Sequence, residues 1–492
     1  MLTRIEVDGF KNLVDFTLDF GPYTCIAGVN GVGKSNIFDS IRFLSLLTDH
    51  TINQAARQIR SPEDTGEIGD LFFSAGGETR KRITMGAEMI VDSDVVDDFG
   101  RPGVASSTFL RYEVAFRHEP PSGSAGPLGG LVLEREELRH IPSGVAAERL
   151  RFSHNKRQFR NSVIYNKRRG SGFISTRQDK TIVIHQDGGS SGRARPAAPA
   201  ERAPRTIVGT ENTAATPTIL AARREMQRWR ILALEPSAMR RPDRFTDEPG
   251  ITADGGHIPV TLHHLDSRSP FPDVADGPND DIMSRIASRL SSLVPVQAVR
   301  AVSDDVRQLY SLELEERTGV RLRANSISDG TLRFLALTAI AEAMDATGVY
   351  CMEEPENGIH PEKLAAMNQL LHDIAVDLDE RVDSDNPLRQ VIVATHSPYF
   401  VQLQSPEELL IAKNPAVKAS AGEAIWPLRC HPLAGTWRVP KQQGDKPAAI
   451  GLGKLELQSY LLPPEDAQLR FPDDFWPEQD QESGDSSVLA DL

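Results

Sequence analysis

The chain contains 492 residues, of which 39% are hydrophobic and 25% are charged, a composition typical of globular domains. No apolar run approaches 18 residues and the alternating residues 2–7 do not resemble a signal sequence, so the sequence predicts no membrane span and a cytoplasmic location. The net charge of −14 comes largely from residues 463–492, which carry nine acidic residues and one arginine and are predicted to be disordered.

The first predicted elements in chain order are a strand, a glycine-rich loop and a helix. An apolar run at residues 24–27 predicts the strand, and apolar residues at helical spacing within residues 35–47 predict the helix. Glycines between them let successive backbone N–H groups face phosphate oxygens, next to the positive end of the helix dipole. Lys34 is expected to reach the outer phosphates and the Ser35 hydroxyl to bind Mg²⁺. The sequence therefore predicts an ATP-binding loop that contains Gly28, Asn30, Gly31, Gly33, Lys34, Ser35 and Asn36.

An antiparallel β lobe is predicted after the phosphate loop. Residues 82–118 and 131–185 alternate between apolar and polar side chains, which is typical of half-buried strands. Residues 119–130 and 186–217 are rich in small and turn-forming residues and are predicted to be loops.

A basic stretch lies inside this lobe, beginning at Arg149 and ending at Lys180. It holds ten basic residues and one acidic residue, with four aromatic residues between them. Such a stretch can bind DNA or RNA through phosphate contacts and through stacking of bases on the rings. The alternative is a solvated twisted hairpin whose aromatic side chains pack inward, and the residue types are compatible with both. The aromatic residues are Phe152, Phe159, Tyr165 and Phe173.

From residue 223 onward the pattern becomes helical. Helices are predicted at residues 282–293 and 331–344, and a closing helix at residues 452–462. Ser328 and Gly330 precede the second of these helices, so its N-terminus is predicted to face an anion.

Two apolar strands in this half each end in polar residues that suit phosphoryl transfer. The strand at residues 349–352 runs into Glu353, which we expect to hold Mg²⁺, and Glu354, which we expect to orient or deprotonate the attacking water. The strand at residues 390–395 ends at His396, whose ring can hydrogen-bond the terminal phosphate or the water.

Strands that alternate with helices predict an α/β fold with a mostly parallel core sheet and the nucleotide at the carboxyl ends of its strands. No heptad array lies between the loop and Ser328, so coiled-coil arms are not expected. The predicted units are residues 1–104 with the phosphate loop, 105–222 as the β-rich lobe, 223–462 as the helical lobe and second part of the core, and 463–492 as the acidic tail.

Together these motifs resemble the P-loop ABC-type ATPase heads of the SMC, RecF and OLD group, and most closely the stand-alone, AAA-labelled, OLD-like predicted ATPases. The resemblance covers residues 1–92 and 229–412 and is poor between them. It is carried by Phe10-Lys11-Asn12, residues 28–36, Leu234-Glu235-Pro236, and residues 328–337, 353–361 and 395–398.

This resemblance implies that ATP is bound between two heads of a two-fold homodimer. Ser328 and Gly330 of one head would then contact the terminal phosphate held by the loop of the other. Lys11 or Asn12 would contact the nucleotide, and residues 357–360 would line the dimer seam.

Two features depart from the SMC pattern. Glu353 stands where the SMC branch has Asp, and the OLD-like branch also has Glu at this position. Gln54 and Gln58 are candidates for the glutamine that senses the metal, or are ordinary surface residues.

Three functions fit these observations. The first, implied by resemblance to the armless ATPases of two-gene systems such as Septu and PARIS, is an ATPase subunit that gates a separately encoded effector, expected to be a nuclease, in bacterial anti-phage defence. The second is a RecF-like DNA-binding ATPase in repair, for which the basic stretch is the motivation. The third is a non-catalytic scaffold held together by bound ATP. The residues after His396 lack the carboxylate set of a fused Toprim nuclease, which favours a separate effector over a fused one.

Overall fold

A computed structural model describes residues 1–59, 68–75, 78–120, 129–167, 172–187, 194–267, 282–343, 346–418, 424–439 and 451–453. The predicted acidic tail and all but the first two residues of the predicted closing helix lie outside the described residues. Every helix within the described ranges is too short or too polar to cross a lipid bilayer.

The strands of the described residues are numbered in chain order. They are β1 (Leu2–Asp8), β2 (Phe16–Asp19), β3 (Tyr23–Ala27), β4 (Ser74–Ala75), β5 (Glu78–Thr79), β6 (Arg82–Ile90), β7 (Asp94–Val96), β8 (Pro102–Val104), β9 (Phe109–Glu119), β10 (Gly130–His140), β11 (Ile174–Thr176), β12 (Thr181–Ile184), β13 (Arg195–Pro199), β14 (Trp229–Leu232), β15 (Asp243–Arg244), β16 (Val296–Asp304), β17 (Leu309–Glu316), β18 (Arg321–Arg323), β19 (Gly348–Glu353), β20 (Arg389–Thr395), β21 (Leu409–Lys413), β22 (Val417–Lys418), β23 (Ala424–Ile425) and β24 (Arg429–Pro432).

The helices of the described residues are numbered in the same way. The α-helices are α1 (Lys34–Leu46), α2 (Ile52–Arg57), α3 (Ala146–Arg149), α4 (Asn161–Val163), α5 (Ile207–Thr210), α6 (Pro217–Gln227), α7 (Pro236–Met239), α8 (Ile258–Ser267), α9 (Ile282–Leu290), α10 (Asp329–Glu342), α11 (Leu364–Ile374) and α12 (Pro398–Gln402). Short 3-10 helices lie at Ile68–Leu71, Ala200–Arg202, Ala324–Ser326 and Pro361–Lys363, and a π-helical turn lies at Lys156–Arg160. The longest helix among the described residues, α10, has 14 residues, so this part of the chain contains no coiled-coil arm.

The core sheet is mostly parallel, as the sequence predicted. In the part of the chain that the structure describes it has six strands in the order β14-β19-β20-β3-β21-β24, and only the edge pair β21 and β24 is antiparallel. Every residue of β3 and β20 is buried, because helices or a second sheet cover both faces. Continuous apolar runs rather than alternating ones therefore mark these strands in the sequence.

A larger antiparallel sheet packs beside this core. Among the described residues it has eight strands in the order β13-β12-β11-β10-β9-β6-β1-β2. The β-rich lobe is therefore continuous with the first two strands of the chain. The boundary expected between residues 104 and 105 separates β6 from β9, although these two strands pair along their whole length.

Helix α1, which follows the phosphate loop, lies between the two sheets. One continuous apolar core contains its buried residues together with strand residues of both sheets. The ring of Phe43 in α1 meets that of Phe116 in β9 with centroids 5.6 Å apart. The phosphate loop is thus anchored to a helix that is buried on both sides.

The third part of the fold contains helices α8 to α11 and a small antiparallel sheet. In the described residues this sheet joins β15, β16, β17 and β18, which the predicted helical lobe did not include. Helix α9 ends at Leu290 rather than at residue 293, because the following residues turn into β16. Helix α10 begins at Asp329 and ends at Glu342, two residues earlier at each end than predicted, because Ser328 caps its N-terminus.

Candidate nucleotide site

Three parallel strands place the predicted site residues at one edge of the core sheet. Thr395 of β20 lies opposite Ala27 of β3, and Ala394 lies opposite Glu353 of β19. The N–H of Gly28 donates to the Thr395 carbonyl over 3.1 Å, which joins the phosphate loop to the end of β20. Stretches separated by more than 300 residues therefore meet where all three strands end.

The phosphate loop is held in shape by Asn12. Gly33 has φ = 101°, a left-handed conformation that residues with a Cβ rarely adopt, and a Cβ there would lie 2.2 Å from Asn12 Nδ2. Asn12 Nδ2 donates to the Val32 carbonyl over 3.0 Å, and Asn36 Nδ2 donates to Asn12 Oδ1 over 2.7 Å. Asn12 thus supports the loop from within the protein, while Lys11 forms an ion pair with Asp39 of α1 at 2.7 Å.

Lys34 is the buried cation of the loop. Its Nζ donates to the carbonyls of Gly28 and Val29, over 2.7 and 3.1 Å. Burial lowers the pKa of Lys34, while Glu354 and Glu353 oppose that shift because they favour the charged ammonium. The ammonium therefore lies inside the curve of the loop, where the charges of the two acids favour its protonated form.

Glu354 is held by contacts on both carboxylate oxygens. Oε1 is 2.5 Å from Nδ1 of His396, and Oε2 accepts a 2.7 Å hydrogen bond from Asn357 Nδ2. The backbone of Glu354 is left-handed, with φ = 50°, and its N–H donates to the carbonyl of Ala394 over 2.8 Å. The structure thus brings Glu354 and His396 into direct contact.

Glu353 and Ser35 differ from Glu354 because neither side chain has a hydrogen-bond or ion-pair partner among the described residues. Glu353 is exposed at the end of β19, and Ser35 is half-buried in the first turn of α1. A carboxylate and a hydroxyl are hard oxygen ligands, which suits the magnesium ion that the sequence predicts at this edge.

The second part of the predicted site lies at the start of α10. Ser328 is exposed and caps the helix, since its Oγ accepts the N–H of Thr331 over 3.3 Å. Gly330 is buried against the turn after β19, where an added Cβ would lie 2.4 Å from the Gly358 carbonyl oxygen. Within the described residues, no hydrogen bond joins Ser328 or Gly330 to the phosphate loop of the same chain.

Two residues that were not singled out in the sequence connect these parts. Arg333 of α10 donates to the carbonyl of Asn357 over 2.7 Å, which ties the helix to the residue that holds Glu354. Glu356 is buried and accepts a hydrogen bond from the Thr395 hydroxyl. The acidic residues within 353–356 were visible in the sequence, but nothing in the sequence indicated that Glu356 bonds to Thr395 or that Arg333 bonds to Asn357.

The glutamine candidates have local contacts. The side chain of Gln54 accepts the N–H of Thr51 and so forms the capping box at the start of α2. Gln58 is the C-terminal cap residue of the same helix.

The basic stretch is a hairpin only at its end. Strands β11 and β12 pair in antiparallel fashion across a turn at residues 177–180, whereas the earlier described residues form the end of α3, a π-helical turn and α4. The rings of Phe152, Phe159 and Phe173 are buried in the protein and cannot stack on bases, because the segment packs them inward. The expectation of aromatic stacking is therefore wrong for these three residues.

The basic side chains of this stretch fall into two groups. Arg149 and Arg151 form ion pairs with Glu88 and Asp19 of the antiparallel sheet. Lys156 and Arg157 are exposed and form no ion pair among the described residues. Residues 168–171 lie outside the described ranges.

Comparison with known proteins places the chain in a family. A family model described as "AAA domain, putative AbiEii toxin, Type IV TA system" matches residues 134–402, more than half of the chain. The chain belongs to this family. The phosphate loop precedes the matched residues, and the acidic turn and His396 lie within them.

Two curated relatives match shorter stretches. The chain is 37% identical over 100 residues to the chromosome partition protein Smc of Bacillus subtilis, a match that covers 20% of this chain and 7% of that protein. It is 32% identical over 88 residues to the DNA replication and repair protein RecF of Rhodococcus erythropolis, covering 18% of this chain and 20% of that protein. The chain therefore matches a fifth or less of the length of these relatives. With the motifs gathered at one sheet edge, these findings identify an ABC ATPase head of SMC/RecF type.

Solved structures that align with this chain include an Smc head bound to the C-winged-helix domain of ScpA, at 12% identity and a TM-score of 0.46, covering 88% of this chain and 98% of that one. The SMC head domain of Thermotoga maritima aligns at 12% identity and a TM-score of 0.36, covering 87% and 99%.

Proposed function

We propose that this chain binds Mg-ATP at the common edge of β3, β19 and β20 and hydrolyses it. The observation that carries this proposal is the convergence of Lys34, Glu353, Glu354 and His396 from three distant stretches of the sequence. Membership of an ATPase family supports the nucleotide as ATP.

The loop binds the phosphates in this proposal. The backbone N–H groups of residues 28–35 and the N-terminus of α1 attract the phosphate oxygens, and Lys34 exchanges its loop carbonyls for the outer phosphates. Ser35 and Glu353 are the ligands available to Mg²⁺, which when bound neutralises charge on the outer phosphates.

Glu354 is the proposed general base. An Nδ1–H of His396 and the amide of Asn357 each occupy one lone pair, so both carboxylate oxygens keep another for a water molecule. Nδ1 of His396 contacts Glu354, and the ring of His396 is proposed to hydrogen-bond the water or the terminal phosphate. The pair is 28% and 43% exposed, so solvent reaches both groups.

We further propose that the working site is shared by two copies of the chain. Ser328 is exposed and has no contact with its own phosphate loop, so a second chain docked in two-fold fashion would bring it to a terminal phosphate. The small, exposed Ser328 at a helix N-terminus suits close approach to an anion, and the buried Gly330 lets α10 pack against the turn after β19.

The proposed biological role is that ATP-driven dimerisation gates a separately encoded effector, expected to be a nuclease, in anti-phage defence. The description of the family, which mentions a toxin and a type IV toxin-antitoxin system, supports an effector system of this general kind. Co-purification with the product of the neighbouring gene, with and without ATP, tests the role. Failure to recover a partner in both states would contradict it.

The test of hydrolysis is Glu354→Gln. The amide keeps the shape of the side chain but is not a base, so turnover should fall by about 100-fold or more while Mg-ATP still binds. Glu362→Gln, an exposed residue in the same connection, is the matched control and should be as active as the unmodified protein. Near-normal turnover of Glu354→Gln would mean that Glu354 is not the base, and an unmodified protein that binds ATP without hydrolysing it would favour the scaffold.

The shared site is tested by mixing two inactive variants. Ser328→Arg blocks the start of α10 but leaves the phosphate loop of the same chain intact, whereas Lys34→Ala removes the cation of the loop and should abolish ATP binding. A mixed dimer contains one intact loop that faces one intact Ser328, so the mixture should hydrolyse ATP faster than either variant alone. A mixture as inactive as both parents, with subunit exchange demonstrated, would contradict the shared site.

A second candidate function, DNA binding in repair, is favoured by the match to RecF and by Lys156 and Arg157, which are exposed and form no ion pair with a described residue. Charge reversal of both residues should weaken binding of a DNA duplex, with a smaller effect at higher salt because phosphate contacts release counterions. Absence of DNA binding by the unmodified protein at low salt would remove this candidate.

A further inference from the structure

The acidic turn after β19 contains a third carboxyl group, Glu356, which the proposed reaction does not use. It is only 6% exposed, so it cannot contact ATP or the attacking water. Its Oε1 accepts a hydrogen bond from the hydroxyl of Thr395, and its Oε2 is buried without a hydrogen-bond partner among the described residues. Burial raises the pKa of Glu356, and the hydrogen bond from Thr395 opposes that shift without cancelling it.

Thr395 is hydrogen-bonded on two sides. Its hydroxyl accepts the N–H of Ser397 over 2.9 Å and donates its single proton to Oε1 of Glu356. Thr395 is the last residue of β20 and directly precedes His396. Glu356 is therefore bonded to the residue whose backbone carries the histidine of the site.

The turn that carries Glu354 needs such a support. Its left-handed backbone is unfavourable for a residue with a Cβ and persists only where the surroundings impose it. One tie is the hydrogen bond from the Glu354 N–H to the Ala394 carbonyl, and the bond from Thr395 to Glu356 is a second, one residue further along β20. The two ties hold the turn and the end of β20 at a fixed separation.

We propose that Glu356 is a positioning residue, which acts through Thr395 to keep Glu354 and His396 in contact. This inference rests on the proposed hydrolysis of ATP. The carboxyl group acts as a hydrogen-bond acceptor, and its negative charge is not required. Glutamine keeps the acceptor and should replace it, whereas alanine should not.

The first experiment separates kcat from KM in the full-length protein. Glu356→Ala should lower kcat by about 10- to 100-fold, because a small displacement of a catalytic pair has effects of this size, and should leave the KM for ATP within about twofold. Glu356→Gln should retain kcat within about threefold. Thr395→Val, which lacks the hydroxyl, should lower kcat as Glu356→Ala does, whereas Thr395→Ser should not. These two Thr395 variants keep the test available if Glu356→Ala does not fold.

The matched control is Glu362→Ala, which removes an exposed carboxylate from the same connection and should leave both constants unchanged. If the unmodified protein is active and Glu356→Ala has the same kcat, the inference is overturned. It is also overturned if Glu356→Ala loses affinity for ATP as much as it loses kcat. An unmodified protein that does not hydrolyse ATP would instead overturn the proposed function.

A double-mutant cycle tests the route of the effect. If Glu356 acts through the pair of Glu354 and His396, then Glu356→Ala should change kcat by less than about twofold when His396→Ala is already present. Independent losses that multiply in the double variant would mean that Glu356 supports the fold in general, and would overturn the inference.

Discussion

The two large sheets of this molecule distribute their charged residues in opposite ways. In the parallel sheet the central strands β3 and β20 are buried along their length, and charged groups collect at one end, around Lys34, Glu353 and Glu354. In the antiparallel sheet the charged groups cover one face and pair with each other across the strands. Arg111 of β9 alone contacts three carboxylates, namely Glu6 at 2.5 Å, Glu88 at 3.0 Å and Glu113 at 2.5 Å.

This difference indicates which charges serve function. Carboxylates that have arginine partners inside the protein keep the antiparallel sheet in register and are not available to a ligand. Glu353 has no such partner among the described residues, although it interacts electrostatically with the buried Lys34. The absence of an arginine partner among the described residues, rather than charge itself, therefore distinguishes Glu353 and Glu354 from the carboxylates of this network.

The largest expected effect comes from comparing one glycine in each region. Gly33→Ala adds a Cβ to a left-handed residue, 2.2 Å from Asn12 Nδ2, so the phosphate loop must move. We expect the affinity for ATP to fall by about 100-fold or more, while the unfolding temperature changes little. Binding of a fluorescent ATP analogue and thermal unfolding measure the two quantities.

Gly86→Ala in β6 is the partner variant in the antiparallel sheet. Its Cβ would lie 3.3 Å from Arg111 Nη2, the end of a side chain that can shift by a few tenths of an ångström. ATP affinity should be unchanged and the free energy of unfolding should change by less than about 1 kcal/mol. A loss of ATP affinity in Gly86→Ala would show that the two sheets are not separate in function.

Arg111→Leu should give the largest change in stability. It leaves Glu6 and Glu113 with fewer partners in a half-buried network, so we expect the free energy of unfolding to fall by about 2 kcal/mol. ATP hydrolysis per folded molecule should not change. Urea unfolding measures the loss, with Arg135→Leu, a 45% exposed member of the same network, as a control that should cost less than about 1 kcal/mol. Equal losses in the two variants would mean that burial does not set the value of these pairs.

Most of the proposed site could be predicted from the sequence because each motif is local. A glycine-rich loop, an acidic pair and a histidine each follow an apolar strand, and parallel strands bring their carboxyl ends together. The role of Glu356 could not be predicted, since its partner Thr395 is 39 residues away and neither residue type suggests the other. The ion pair of Glu6 with Arg111 spans 105 residues, which also explains why the first strands were not expected in the β lobe.

The same network should make stability depend on pH in the acid range. Burial alone would raise the pKa of Glu6, but hydrogen bonds from Arg111 and Arg4 outweigh it and lower that pKa from 4.5 to about 2. The stabilisation is therefore present above pH 4.5 and is lost as the pH falls toward 2. The difference in unfolding free energy between the unmodified protein and Glu6→Gln should shrink over this interval. A difference that stays constant down to pH 2 would contradict the assigned shift.

The smallest expected effect concerns His372, which packs on the parallel sheet and is paired with a carboxylate. His372 of α11 stacks on Tyr23 of β3 with ring centroids 4.0 Å apart, and its Nδ1 and Nε2 face the Asn368 carbonyl at 2.8 Å and Glu408 Oε2 at 3.2 Å. Burial works to lower the pKa of His372, but Glu408 and the Asn368 carbonyl favour the imidazolium and raise it above 6.5. Because the folded state binds this proton more tightly, the stabilisation is complete below pH 6.5 and is lost as the pH rises through the folded pKa.

Relative to His372→Gln, the unmodified protein should therefore lose at most about 1 kcal/mol of unfolding free energy as the pH rises from 6 to 9. Hydrolysis of ATP per folded molecule should be the same in both proteins, because His372 packs on Tyr23 at the start of β3, whereas the phosphate loop follows the end of that strand. A specific loss of kcat in His372→Gln would show that charges at both ends of the parallel sheet take part in function.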